Sequence, residues 1–300
     1  MSSPLITIIG SSNMDMVVKA DRIPEPGETI LSGSFFMNPG GKGANQAVAV
    51  ARLGGNAVFI SKLGNDLFGE QFAGLFKKEG INTRYLLSDP VLPSGVALIT
   101  VDKKGENSIV VAQGANANMQ TADLSSALET IASGKILLMQ LEIPLDTVTF
   151  AAEYAHSKGV MLILNPAPAC HLPDKLLQQV DLLTPNRSEA SLLSGITITD
   201  VSTAQEAAMV LHRKGVKHVV ITMGAEGAII YTNGKFIQID AIKVTPVDTT
   251  AAGDVFNGAV AVALSEGNDL ETAVRFGCRG AAIAVTRPGA QSSIPYRNEL

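Results

Sequence analysis

Short apolar runs alternate along the chain with segments whose apolar positions recur every three and four residues. Leu5-Ile6-Thr7-Ile8-Ile9, closed by Gly10, is a β-branched run suited to a buried parallel strand. Residues 57–64 predict another strand, and 67–79 predict a helix. The pattern then predicts a helix over 123–131, a strand over 136–141, a helix over 145–156 and a strand over 160–164. A strand over 181–184, a helix over 204–214 and a strand over 219–222 follow. Alternation of this kind places helices on both faces of a mostly parallel sheet, the α/β class. Two stretches break it. Residues 94–100 with 107–112, and 227–231 with 235–239, flank turn-rich loops and predict β-hairpins.

Composition narrows this picture. A chain of 300 residues is at the upper limit for one core, and no repeat, low-complexity tract or linker divides it, so one domain over 1–300 is expected. With 46% hydrophobic and 17% charged residues it can bury a large core, which excludes disorder. Trp is absent, aromatics are few and the net charge is −5, so a nucleic-acid partner is not expected. No apolar run has spanning length and no leader pattern opens the chain, which predicts a soluble, cytoplasmic protein without a membrane partner. Cys170 and Cys278 form no paired motif, and the four histidines lack metal-ligand spacing.

The candidate chemistry lies where predicted strands end. Asn13 and Asp15, just past the first strand, share one side of an extended chain. Gly40-Gly41-Lys42-Gly43-Ala44-Asn45-Gln46 opens a helix reaching Leu53; it is neither a Walker A loop nor the dinucleotide fingerprint. Glu142, Asn165, Asn186, Glu189, Thr222, Gly224 and Gly227 follow later strands, and each alone reads equally as a loop residue or a cap. Asp248-Thr249-Thr250-Ala251-Ala252-Gly253-Asp254 leads into an apolar helix over 255–264. A helix start with almost no side chains lets an anion approach the amides. Asp254 there is either a complement to the helix dipole or a carboxylate poised to take a proton from an attacking hydroxyl.

The glycine-lysine run, the Asn186-Arg-Ser-Glu189 motif and the 248–254 segment, in that order over the whole chain, resemble the ribokinase-like (PfkB-type) carbohydrate kinase family. The resemblance implies a three-layer α/β/α sandwich with a small β-sheet lid from residues 14–36 and 96–111, which pairs between subunits of a homodimer. It also implies ATP-dependent phosphorylation of a small sugar, ribose first among them. Asp254 becomes the general base, and the amides of Ala251, Ala252, Gly253 and Asp254 the anion hole. Asn13, Asp15, Gly41, Lys42, Asn45 and Glu142 would hold the sugar; Asn186, Thr222, Gly224, Gly227 and Gly253 would line the ATP site. Glu189 would place Mg²⁺ through water. Asp248, Thr250, Ala284, Arg287, Gly289 and Ser293 would hold K⁺, mostly through carbonyls. Cys278 stands where the resemblance calls for a polar residue beside the nucleotide base, so base contact and core packing are both open to it. The motifs are shared by ribose and 2-deoxyribose kinases.

Overall fold

The structure, a computed structural model, describes residues 3–31 and 33–300. In chain order it begins β1 (Leu5–Ile9), β2 (Asn13–Lys19), β3 (Ser34–Gly40), α1 (Lys42–Arg52), β4 (Asn56–Gly64), α2 (Leu67–Lys78) and β5 (Asn82–Asp89). There follow β6 (Gly95–Val101), β7 (Asn107–Ala112), α3 (Leu128–Ser133), β8 (Ile136–Met139), α4 (Leu145–Ser157), β9 (Met161–Leu164) and α5 (Asp174–Leu177). The remainder is β10 (Leu182–Leu183), α6 (Arg187–Ser194), α7 (Val201–Arg213), β11 (His218–Thr222), β12 (Ala228–Thr232), β13 (Lys235–Ile239), α8 (Ala252–Ser265) and α9 (Leu270–Ala284).

A nine-stranded sheet runs β13-β12-β11-β10-β9-β8-β1-β4-β5. It is parallel from β11 through β5, and the β12–β13 hairpin adds an antiparallel edge. Successive β1 side chains enter different cores: Ile6 and Ile8 belong to the core that α1, α8 and α9 also line, whereas Ile9 belongs to the one lined by α4 and α7. The sheet is therefore the middle of three layers. A second sheet, β3-β2-β6-β7, forms the lid. Its β6–β7 hairpin joins β2 in parallel, an arrangement that the hairpin pattern alone does not reveal. Of the expected lid segment, Ser32 lies outside the described residues.

Two close approaches set the site. A Cβ on Gly43 would sit 2.6 Å from Gly10 C and Ser11 N, so only glycine lets α1 begin on the end of β1. A Cβ on Gly258 would sit 2.6 Å from Ala49 Cβ, and this small pair brings α8 against α1.

The structure differs from the sequence pattern in places. The segment expected to be helical from residue 123 winds as a 3-10 helix over Thr121–Ala127, and becomes α only at Leu128. There the Asp123 carboxylate accepts from Gln120 N and Lys62 Nζ, which anchors it at a helix start. The pattern also misses β5, a half-buried edge strand rich in polar residues, and α9. Gly277 and Gly280 lower the helix propensity of α9, yet a Cβ on Gly277 would meet Phe256 and Val260 at 2.8 Å.

Candidate active site

The C-terminal ends of β1, β8, β9, β10 and β11 open on the same side as the start of α8, the usual place for a ligand in a parallel sheet. A cavity of about 210 Å³ lies there, lined by Lys42, Asn165, Thr184, Asn186, Glu189, Thr222, Thr249, Ala251, Ala252, Gly253, Asp254 and Asn257, among others.

Asp254 is buried in the first turn of α8. Its Oδ2 accepts from Asn45 Nδ2 (2.9 Å) and its Oδ1 from Gln46 Nε2 (3.0 Å). Burial pushes its carboxyl above the usual range, and Lys42 with the two amides works against that rise. The cap residue Ala251 has left-handed backbone (φ 61°) and gives no side-chain cap. Helix geometry leaves the Gly253 and Asp254 amides without intrahelical acceptors. The Ala252 amide donates to Thr249 O (3.3 Å), so of the expected anion-hole donors it is already engaged.

Lys42 is the cation at the centre. Burial opposes its charge, but Asp254, Glu142, Glu189 and Asp15 together hold its ammonium above the ordinary value. Glu142 Oε2 accepts from Ser11 Oγ (2.5 Å) and the Lys42 amide (3.0 Å), while Oε1 lies 3.9 Å from Lys42 Nζ. Asp15, on β2, is raised to about 7 by burial and by Glu142 and Asp254, with Lys42 opposing. Gly41, in positive φ (87°), brings the chain so near Asn13 N that a Cβ would sit 2.6 Å away. Asn45 Oδ1 is buried without a partner, an acceptor facing a group that the protein does not supply. Gly41 abuts Asn13, Lys42 faces Glu142 and Asn45 holds Asp254, and of the six expected sugar residues Lys42 is the one that lines the cavity.

The expected nucleotide residues divide. Asn186 and Thr222 bridge neighbouring strand ends and both line the cavity. Gly224 and Gly227 close a 3-10 turn just beyond β11, with Gly227 N donating to Gly224 O (3.0 Å). Cys278 lies on α9 among residues packed against the α1–α8 core, outside the cavity lining, and burial pushes its thiol up to about 11. Asn186 and Glu189 form the capping box of α6: Glu189 N donates to Asn186 Oδ1 (2.9 Å) and Asn186 N to Glu189 Oε2 (2.8 Å). Glu189 Oε1 takes no part in that box, and the residue lines the cavity.

In the expected cation loop, Asp248 Oδ1 accepts from Thr250 N (2.9 Å) and Oγ1 (2.6 Å), and Oδ2 from Gly289 N (2.8 Å). Ala284 O accepts from Arg287 N (3.0 Å), and Ser293 Oγ donates to Ala290 O (2.8 Å). The Arg287 side chain turns instead to Glu299 (2.5 Å), so only its backbone remains available to an ion. Among the described residues, no three His, Cys, Asp or Glu side chains are grouped to hold a metal.

Sequence reasoning missed the buried polar residues beneath the site. Gln46 and Gln140 were not singled out, nor were Thr184, Asn257 or Asn116. Thr184 Oγ1 donates to Asn257 Oδ1 (2.6 Å), and Asn257 Nδ2 to Gly253 O (2.8 Å), which ties the sheet to the first turn of α8. The four-residue spacing from Gly253 to Asn257 is the one local signal that was available.

The model of the pfkB family carbohydrate kinases matches residues 3–297. The chain belongs to that family. The kinase is 45% identical over 294 residues to a ribokinase of Haemophilus influenzae, a match covering 98% of this chain and 96% of the relative. It is 35% identical over 291 residues to a deoxyribokinase of Salmonella typhi, covering 97% of this chain and 95% of that one. The structure of an Arabidopsis thaliana ribokinase complexed with ribose and ATP superposes on the kinase with a TM-score of 0.91 at 34% identity, covering 99% and 97% of the two chains. No helix among the described residues is long and apolar enough to cross a membrane.

Proposed function

We propose that this kinase transfers the γ-phosphoryl group of ATP to the 5-hydroxyl of D-ribose. One observation carries the reading: Asp254 is a buried carboxylate beside the unshared amides of a helix start, at the wall of a cavity that also holds Lys42. Beside an anion hole a carboxylate is a poor phosphate ligand and a good acceptor for a hydroxyl proton. Ribose is favoured over 2-deoxyribose by identities of 45% and 35% to relatives bearing those names.

Asn13, Asp15, Gly41, Lys42, Asn45 and Glu142 hold the sugar, with Asn45 Oδ1 accepting from one hydroxyl. Asn186, Thr222, Gly224 and Gly227 border the nucleotide, whose transferring phosphate meets the Gly253 and Asp254 amides; Cys278, packed against the core, takes no part. Asp254 takes the hydroxyl proton as the new O–P bond forms, and its raised proton affinity suits that step. When bound, Mg²⁺ neutralises phosphate charge. A lone Glu189 oxygen fits an ion that keeps most of its waters better than one caged by protein. K⁺ fits the oxygen-rich loop of Asp248, Thr250 and Gly289, completed by carbonyls of Ala284, Arg287 and Ser293.

The lid supports a homodimer. Val18, Phe35, Met37, Leu98 and Val110 are exposed, and the strand register puts them all on one face. Two free cysteines suit the reducing cytoplasm.

The test is ADP release with Mg-ATP and K⁺ on ribose, 2-deoxyribose, fructose and adenosine, with Asp254→Asn alongside. Ribose should be preferred, and the variant should lose about 10²–10⁴-fold in kcat. Preference for another compound would move the substrate, and an active Asp254→Asn would remove the base.

A further inference from the structure

Gln46 follows Asn45 on α1, is fully buried, and has every polar atom of its side chain engaged. Its Nε2 donates to Asp254 Oδ1 (3.0 Å) and to Asn165 Oδ1 (3.1 Å), and its Oε1 accepts from Gln140 Nε2 (2.6 Å). Gln140, at the end of β8, is fully buried as well. Because a donor occupies Oε1 and two acceptors surround Nε2, the amide has one workable orientation. Turned over, it would set oxygen against the Asp254 carboxylate and N–H against N–H at Gln140. Asn45 Nδ2 holds the other carboxylate oxygen. The carboxylate is thus clamped by amides from consecutive positions of one helix, one donor to each oxygen.

We propose that Gln46 is a positioning residue for phosphoryl transfer: it fixes the plane of the Asp254 carboxylate, with Asn165 as the second acceptor of its amide and Gln140 as the donor to its oxygen. The inference rests on the reading of Asp254 as the base. Neutral donors suit this task. A second cation beside Asp254 would orient it equally well but would take away proton affinity that the base needs. The charged groups around Asp254 are Lys42 on α1, Asp15 on β2, Glu142 beyond β8 and Glu189 on α6; they set its charge balance, and Gln46 sets its geometry.

The experiment compares kcat and KM across the acidic limb of the pH profile for wild type, Asp254→Asn, Gln46→Glu, Gln46→Met and Gln140→Met, with the melting temperature of each. Gln46→Glu places an acid against Asp254, and should move the acidic limb of kcat upward by about one pH unit. Gln46→Met removes the donor, and should lower kcat about tenfold or more while the KM for ATP stays within about twofold. Gln140→Met leaves Asp254 untouched but frees the Gln46 amide, and should lower kcat by roughly threefold to tenfold. It serves as the readout if neither Gln46 variant folds. Folded variants with the wild-type kcat and acidic limb, beside an inactive Asp254→Asn, would overturn the role of Gln46 and leave the base intact. An active Asp254→Asn would overturn both.

Discussion

Asn116 Nδ2 donates to Asn13 Oδ1 across 2.8 Å and to the Ser12 carbonyl at 3.0 Å, while its Oδ1 accepts from Ser12 N at 3.0 Å. One buried amide thereby ties the chain leaving the lid to the chain entering it, and fixes Asn13 Oδ1 as the acceptor, which leaves its N–H₂ for the sugar proposed to bind there. Asn116→Ala strips partners from buried groups of Ser12 and Asn13. It should cost about 2–4 kcal/mol of stability and raise the KM for ribose at least about tenfold, with a smaller effect on kcat. Denaturant titration and steady-state kinetics would check both halves; an unchanged KM would break the link to Asn13.

Gly253 lines the cavity, and a Cβ there would meet nothing within 4 Å. In Gly253→Ala the methyl group should raise helix propensity by up to about 1 kcal/mol. It would also stand where the phosphate must approach the amides, so kcat should fall roughly tenfold to a hundredfold. The melting temperature should therefore hold or rise while turnover falls. Loss of both together would mean that the residue serves only the fold.

Asp15 keeps its proton in the folded state up to about pH 7, against an ordinary value of 3.8. Below the lower value both states are protonated and the group is neutral to folding. As pH rises from there through about 7, the folded protein binds more proton than the unfolded one, so stability from this site is progressively lost. Asp15→Asn does not titrate. Its melting temperature should match wild type near the acid end and exceed it by roughly 2–5 °C above neutrality, while ribose binding weakens. A pH-independent difference in melting temperature would rule out this titration.

The helix α1, the β-hairpins and the parallel character of the long βα run were legible, because each rests on local periodicity or on adjacent glycines; the strand order was not, since it depends on pairings between segments far apart in the chain. So was the placement of Lys42 and Asp254, which stand in contiguous motifs and line one cavity. Gln46, Gln140 and Asn116 were not. Their meaning lies in contacts across 94 to 208 residues, and a buried glutamine in a helix looks in sequence like any surface one. Glu189 shows the opposite case: a cap was one of the two readings its place after a strand allowed, and one of its oxygens closes the capping box of α6.

The Asp248 loop gives a cation test. Burial works to raise the Asp248 carboxyl, yet hydrogen bonds from Thr250 and Gly289 hold it below the ordinary range, so it is ionised throughout neutral pH. With K⁺ held in this loop as proposed, exchanging it for Na⁺ should lower kcat severalfold. Asp248→Asn should abolish the difference between the two ions. Equal rates in wild type with either ion would dismiss the site.

Lys42, Asn45, Gln46 and Arg52 all belong to α1, whose eleven residues form a rod about 16 Å long. At its far end Arg52 pairs with Glu79 (2.6 Å) and donates to the carbonyls of Gln291 (2.7 Å) and Ile294 (2.9 Å). One inserted or deleted residue within that rod would turn everything beyond it by about 100° and separate all these contacts at once. Descendants of this gene cannot change the length of that stretch, whereas the turn over residues 24–29 is exposed throughout and can grow or shrink.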